Sequence, residues 1–113
     1  MSDCIFCRIA AKTIPSKMVY EDDQAVAFED VNPQAPVHLL VISRKHVASL
    51  DAATEEPALL GHLLRTCAVV AGRKGLDQSG YRVVTNTGSD AGQTVFHIHL
   101  HVLGGRGMRW PPG

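Results

Sequence analysis

Neither sign of charge is in excess in this chain: 11 Lys and Arg are matched by 11 Asp and Glu. Such a balance produces no overall field to draw the protein onto nucleic acid or an anionic membrane. Any anionic partner has to be held by a local site. Cysteine is scarce, with three in the chain, and so few thiols make no disulfide framework. No basic stretch followed by an apolar one opens the sequence, so a secretory signal is not expected. Long hydrophobic runs are missing as well. The longest, residues 58–72, is broken by His62 and Arg65 and is too short to span a bilayer. The expected compartment is the cytoplasm, with no nucleic-acid and no membrane partner. Repeats, low-complexity segments and linkers are lacking too, so residues 1–113 read as one domain with a single modest core.

What is present divides into short elements. Asp3 is placed to cap a short helix over residues 4–12, which Thr13-Ile14-Pro15 ends. Residues 17–21 and 25–29 read as strands around the turn Asp22-Asp23-Gln24. Residues 30–36 are turn-rich, and 38–43 form a mostly apolar, buried strand. Residues 49–75 hold the long helix, with Leu59, Leu60, Leu63, Leu64, Cys67 and Val70 recurring at 3–4 spacing on one face. Basic Arg73-Lys74 and then Gly75 suit its end. Residues 81–86 are a further strand, and a glycine-rich loop leads into the last. The order (helix, three strands, long helix, two strands) predicts an α+β fold with an antiparallel sheet covered by helices.

The last strand carries the chemistry. Val95-Phe96-His97-Ile98-His99-Leu100-His101-Val102-Leu103 alternates imidazoles with apolar side chains. A period of two places the three histidines on one strand face, roughly 6.6 Å apart. One histidine in such a place is an ordinary core or surface residue; three in register mark an active centre. The preceding loop, residues 86–94, combines Asn86, hydroxyls, Gly88 and Gly92. Glycine lets backbone approach a ligand, and exposed N–H groups bind anionic oxygens. Alone, such a loop is an ordinary turn, but this one delivers Gln93 and Thr94 to the histidine strand. Cys4-Ile5-Phe6-Cys7 is a lone C-x-x-C. A closed structural zinc site needs four ligands, and His46 and His97 are the best candidates for the other two. A pair of plain thiols is the alternative, while a thioredoxin-like role lacks its βαβ setting. Cys67 reads as core, His62 as a helix-surface residue, and His38 as a strand residue beside Pro36.

The stretch Gly92-Gln93-Thr94-Val95-Phe96-His97-Ile98-His99-Leu100-His101-Val102-Leu103-Gly104-Gly105 resembles the signature of the histidine triad (HIT) superfamily, His-φ-His-φ-His-φ-φ with φ apolar. Ile5-Phe6, Ile14-Pro15, Tyr20-Glu21-Asp22-Asp23, Asn32 to His38, Tyr81 to Val84 and Trp110 to Gly113 are similar to its nucleotide-binding (Hint) branch. The likeness runs from about Cys4 to Gly113. It implies the HIT fold, a five-stranded antiparallel sheet with one long and one short helix, continued across a homodimer. The Leu59-Leu60 and Leu63-Leu64 region and the tail at 109–113 agree with that.

The resemblance also implies a nucleotide-binding hydrolase. Its substrates are purine nucleoside 5′-phosphoramidates, such as adenosine phosphoramidate, and aminoacyl-adenylates, cleaved through a nucleotidyl-histidine without a metal. His99 corresponds to the nucleophile and His101 to the group that stabilises charge or donates a proton. The carbonyl of His97 corresponds to the one that orients His99. Asp30 matches the carboxylate that holds the ribose hydroxyls, and Ile5, Phe6, Ile9, Phe28 and Val31 match the wall around the base. Asn86, Gly92, Gln93 and Thr94 match the surroundings of the phosphate, with Thr94 where serine is common. Cys4, Cys7, His46 and His97 correspond to the structural zinc site of many bacterial members. Two readings of other classes stay open. One is a metallohydrolase with His97, His99 and His101 on a catalytic metal; the other is a nucleotide-sensing module without turnover.

Overall fold

The structure, a computed structural model, describes residues 3–113. In chain order these form α1 (Ile5–Ala10), β1 (Met18–Glu21), β2 (Ala25–Glu29), β3 (Val37–Ser43), a 3-10 turn (Asp51–Ala53), α2 (Pro57–Arg73), β4 (Tyr81–Val84) and β5 (His99–Gly104). The strands make one five-stranded sheet in the order β1-β2-β3-β5-β4, with every neighbouring pair antiparallel. This is the α+β architecture expected from the order of elements. Among the described residues no helix is long and apolar enough to cross a membrane.

Both faces of the central strands are covered, which is why β2 and β3 read as apolar runs rather than alternating ones. Ala25, Ala27, Leu39, Val41, Leu100 and Val102 face α2 and pack on Leu63, Cys67, Val70 and Ala71. Val26, Phe28, Leu40 and Ile42 face the other way, onto Phe6, Ile9 and Ala10 of α1. Leu100 and Val102 thus turn their backs on His99 and His101. The long helix occupies one face of β5, and the histidines have the other.

The element ends differ from expectation for local reasons. The cap of α1 is Cys4, whose Sγ accepts the backbone N–H of Cys7 at 3.4 Å; Asp3, expected in that role, lies outside and pairs with Arg8 at 3.9 Å. The long helix starts at Pro57 rather than near Ser49, because proline lacks the N–H that a first turn leaves unused.

His62 is no plain surface residue either. Its Nε2 donates to Asp22 Oδ2 at 2.7 Å, tying α2 to the β1–β2 hairpin. The same carboxylate accepts the Tyr20 hydroxyl at 2.5 Å, and its other oxygen accepts Gln24 N–H and Ala25 N–H, each at 2.8 Å. Burial raises the pKa of Asp22, but the bonds from Tyr20, Gln24, Ala25 and His62 outweigh it and hold the carboxyl well below the usual carboxylate range. A depressed carboxyl stabilises the fold above its unfolded pKa near ~4 and loses that contribution as pH falls through the folded value. Asp22→Ala is expected to cost about 2 kcal/mol at neutral pH. Urea denaturation checks it, and a change below about 0.5 kcal/mol would show that the tie is not stabilising.

Candidate active site

Register places the candidate reacting side chains. His99 is opposite Ile42 and His101 opposite Leu40 across the β3–β5 ladder, so both imidazoles lie on the α1 side of the sheet. The expected strand over residues 95–103, however, begins only at His99. Residues 95–98 are outside the ladder, anchored by Ile98 N–H on Val47 O at 2.6 Å and by side chains. His97 is therefore not the first of three rings in a row. It is fully buried, with Nδ1 at 3.3 Å from Cys4 Sγ and 3.5 Å from Cys7 Sγ and Nε2 on Ser43 O at 2.7 Å. Both ring nitrogens are engaged away from His99 and His101, a geometry unsuited to one metal shared by all three.

Hydrogen-bond partners assign the protons on the remaining rings. His99 Nδ1 donates to the carbonyl of His97 at 2.7 Å, which leaves Nε2 with its lone pair. Phe6 meets the ring edge-on at 5.0 Å, and Thr85 Oγ1 donates to the His99 carbonyl at 2.8 Å. The neighbouring ring has the opposite character, through a residue with no site role expected of it. The backbone N–H of Gln34 donates to His38 Nδ1 at 3.0 Å. An amide can only donate, so neutral His38 carries its proton on Nε2. That proton faces His101 Nδ1 at 2.9 Å and Asp30 Oδ2 at 3.3 Å. His101 Nδ1 thus accepts, and its own proton sits on Nε2. A lone pair on His99 and a donor on His101 stand side by side, ring centroids 5.2 Å apart.

His38 had a detectable signal. It shares a strand face with Leu40 and Ile42, a polar residue in an otherwise apolar row. Asp30, His38 and His101 also form a group with metal-ligand spacing, but the proton on His38 Nε2 makes it a hydrogen-bonded chain.

Burial, with His99 and His38 nearby, lowers the pKa of His101 to about 4. Burial likewise lowers that of His38, against the pull of Asp30. Both are neutral at physiological pH. For His101 the folded pKa is below the unfolded one, so the unfolded chain takes up a proton that the folded form refuses. The resulting stability is full above pH ~6.5 and falls as pH drops toward ~4, by up to about 3 kcal/mol. Urea midpoints across that range check this, and His101→Asn is expected to flatten the slope; an unchanged slope would contradict the assignment.

The remaining expected residues fall into three groups. Phe6, Ile9 and Phe28 are buried together under α1. Ile5 and Val31 are exposed, Val31 completely, and Val31 shares an open hollow of about 590 Å³ with Asp30, Pro15 and Pro33. Asp30 also accepts Asn32 N–H at 2.8 Å, which turns the chain out of β2. In the loop, positive φ at Gly88 and Gly92 (85° and 82°) shapes the approach to β5. Asn86 is half-buried and Thr94 exposed. Gln93 is a buried brace: its Nε2 donates to Ala48 O and Val95 O at 2.8 and 3.1 Å, and its Oε1 accepts Gly88 N–H at 3.0 Å.

Cys4, Cys7, His46 and His97 converge, their donor atoms all within 4.8 Å of one another. Zinc–sulfur bonds of ~2.3 Å and zinc–nitrogen bonds of ~2.0–2.1 Å put tetrahedral ligand edges near ~3.4–3.8 Å. The sulfur–nitrogen separations of 3.3, 3.3 and 3.5 Å agree. Nε2–H of His97 on Ser43 O leaves Nδ1 as the ligand atom, the arrangement that orients a metal-binding histidine. The residues fit a closed zinc site.

The family model described as the HIT domain matches residues 11–108. An uncharacterized HIT-like protein of Synechococcus elongatus is 54% identical over 112 residues, 98% of this chain and 97% of that one. The crystal structure of a HIT family hydrolase from Legionella pneumophila superposes with a TM-score of 0.95 at 47% identity, covering 98% of this chain and 100% of that one. That of a histidine triad nucleotide-binding protein from Candida albicans gives 0.83 at 31% identity, covering 96% and 83%.

Proposed function

This chain belongs to the HIT family and has its fold, and from that premise we propose that it hydrolyses the P–N bond of purine nucleoside 5′-phosphoramidates. The observation that carries the reading is the pairing of a lone pair on His99 Nε2 with an N–H on His101 Nε2, side by side on one strand face. His99 Nε2 attacks the α-phosphorus, the P–N bond breaks, and the leaving nitrogen takes up a proton from water and departs as the amine. The nucleotidyl group then sits on His99 until water displaces it and releases the nucleoside monophosphate. His101 donates its Nε2–H to the phosphoryl group, where charge builds in the transition state. The His97 carbonyl keeps the His99 proton on Nδ1, and His38 keeps the His101 proton on Nε2. Asp30, an acceptor beside an open hollow, suits the ribose hydroxyls. Phe6 and Phe28 with Ile5, Ile9 and Val31 provide an apolar wall for the base. The phosphate is approached by the loop of Asn86, Gly92 and Thr94, which Gln93 holds in shape. The hydrolase and nucleotide-binding names of structural relatives support this reading.

Zinc on Cys4, Cys7, His46 and His97 is part of the proposal, as a structural ion that ties α1 to the segment before β5. A homodimer is part of it as well. Leu64 is 56% exposed and Leu50 40% exposed, beside an apolar hollow lined by Leu60, Leu63, Ile98 and Leu100. A cytoplasmic catalytic unit of residues 1–113, with no nucleic-acid or membrane partner, completes it. The test is release of AMP from adenosine 5′-phosphoramidate with EDTA present. Turnover under chelation supports the reading. Tight nucleotide binding without turnover of any phosphoramidate favours a sensing module instead, and turnover only with added metal favours a metallohydrolase.

A further inference from the structure

We propose that Cys4 and Cys7 form a reversible disulfide that switches the active site off through His97. The proposal rests on the assignment of His99 as nucleophile. Both sulfurs already lie within 4.8 Å of each other, three residues apart at the start of α1 with Cys7 N–H on Cys4 Sγ. Side-chain rotation with a small backbone adjustment closes the S–S bond. The two sulfurs are also the groups that face His97 Nδ1.

The consequence follows from the proton on that ring. Nε2–H of His97 is given to Ser43 O, so Nδ1 is a bare lone pair in a fully buried residue. A thiol can donate to it and a thiolate-held cation can bind it, but a disulfide can do neither. Oxidation therefore leaves a buried acceptor without a donor, which is costly. His97 is outside the β-ladder, so its ring contacts, with the neighbouring Ile98 N–H on Val47 O, hold it in place. Its carbonyl in turn holds His99. Movement of His97 misaims the nucleophile, and a shift of ~1 Å is enough to cost roughly 10²-fold in rate.

The oxidant is a low-molecular-weight disulfide. The Cys7 thiolate, beside the exposed His46, attacks one sulfur of RSSR. The RS–SR bond breaks, one RS⁻ leaves, and a Cys7–S–S–R mixed disulfide forms. The Cys4 thiolate then attacks the Cys7 sulfur, forming the Cys4–Cys7 bond and expelling the second RS⁻. Two electrons pass from the cysteine pair to the oxidant, and both released thiolates take up protons from water. Any zinc on the site loses two of its four ligands and departs.

The experiment uses the full chain carrying Cys67→Ala, which leaves Cys4 and Cys7 as its only thiols. Protein treated with glutathione disulfide is compared with protein that is chelated but kept reduced. Intact mass, released zinc, thermal midpoint and AMP release are read on each sample. The expected result is loss of two hydrogen atoms with no glutathione adduct, and a fall in turnover of at least about tenfold relative to the chelated, reduced sample. Thiol reductant plus zinc restores it. A disulfide with unchanged turnover, a stable glutathione adduct, or no oxidation at millimolar glutathione disulfide overturns the proposal. If the reduced protein holds no zinc, only the zinc reading fails, since mass and rate still decide the switch. If no phosphoramidate is turned over, the catalytic reading fails. A thermal midpoint of the oxidised sample equal to that of the chelated, reduced one then refutes the strain on His97, and a lower midpoint supports it.

Discussion

Replacing His99 by asparagine is expected to lower AMP release from adenosine 5′-phosphoramidate by at least about 10⁴-fold, while nucleotide binding stays within about threefold. Asparagine keeps an N–H to give to the His97 carbonyl but offers no lone pair able to form a P–N bond. The size of the loss separates roles. A group that merely assists proton transfer contributes about 10²–10⁴-fold, whereas removal of the attacking atom closes the covalent route. His101→Asn is expected in the smaller range, because His101 is neutral at pH 7 and donates a hydrogen bond rather than a covalent partner. Steady-state kinetics with EDTA, alongside AMP binding by calorimetry, decides the matter. Comparable losses in the two variants would mean that the nucleophile is misassigned. Rapid quench of the wild type should also trap a nucleotidylated protein, and peptide mapping should place the label at His99.

Stripping zinc is expected to have the largest effect on stability. A structural zinc site is worth about 10–16 kcal/mol in a small finger that has no other core. Here the sheet has its own apolar core on both faces, so the metal's share is smaller, about 3 kcal/mol. For a domain of this size that is roughly 12–20 °C in thermal midpoint. Chelation should produce that drop, and one equivalent of zinc should reverse it. The chelated, reduced protein should still turn over substrate below its melting temperature. In the proposed mechanism the chemistry takes place on His99 and His101, and the thiols of Cys4 and Cys7 still face His97 Nδ1. An unchanged midpoint, with no zinc in the purified protein, would remove the ion from the account.

Much of this was written in the chain. Alternation at a period of two marked the histidine strand, and the 3–4 spacing of leucines marked the long helix, because those periods follow directly from backbone geometry. Neutral composition and short apolar runs were legible for a different reason: they are sums, independent of folding. The order of elements was enough for the α+β class. The C-x-x-C read as a candidate ligand pair with His46 and His97, 39 and 90 residues away from Cys7, as its best partners, and only the fold could bring the four together.

What needed the folded molecule were relations between distant residues. Strand pairing put His38 diagonally beside His101, 63 positions away, and a loop amide then fixed which nitrogen of each ring holds a proton. No periodicity encodes that. His62 found Asp22 across 40 positions, so a helix-surface reading based on spacing alone was bound to miss it. The sharpest difference is at His97. Its place in the alternation groups it with His99 and His101, but the ladder starts two residues later and His97 turns to Cys4 and Cys7. Local pattern determined which side chains this chain has available and the elements they ride on. Tertiary contact decided their partners, because a hydrogen bond depends on separation in space and a sequence records only separation along the chain.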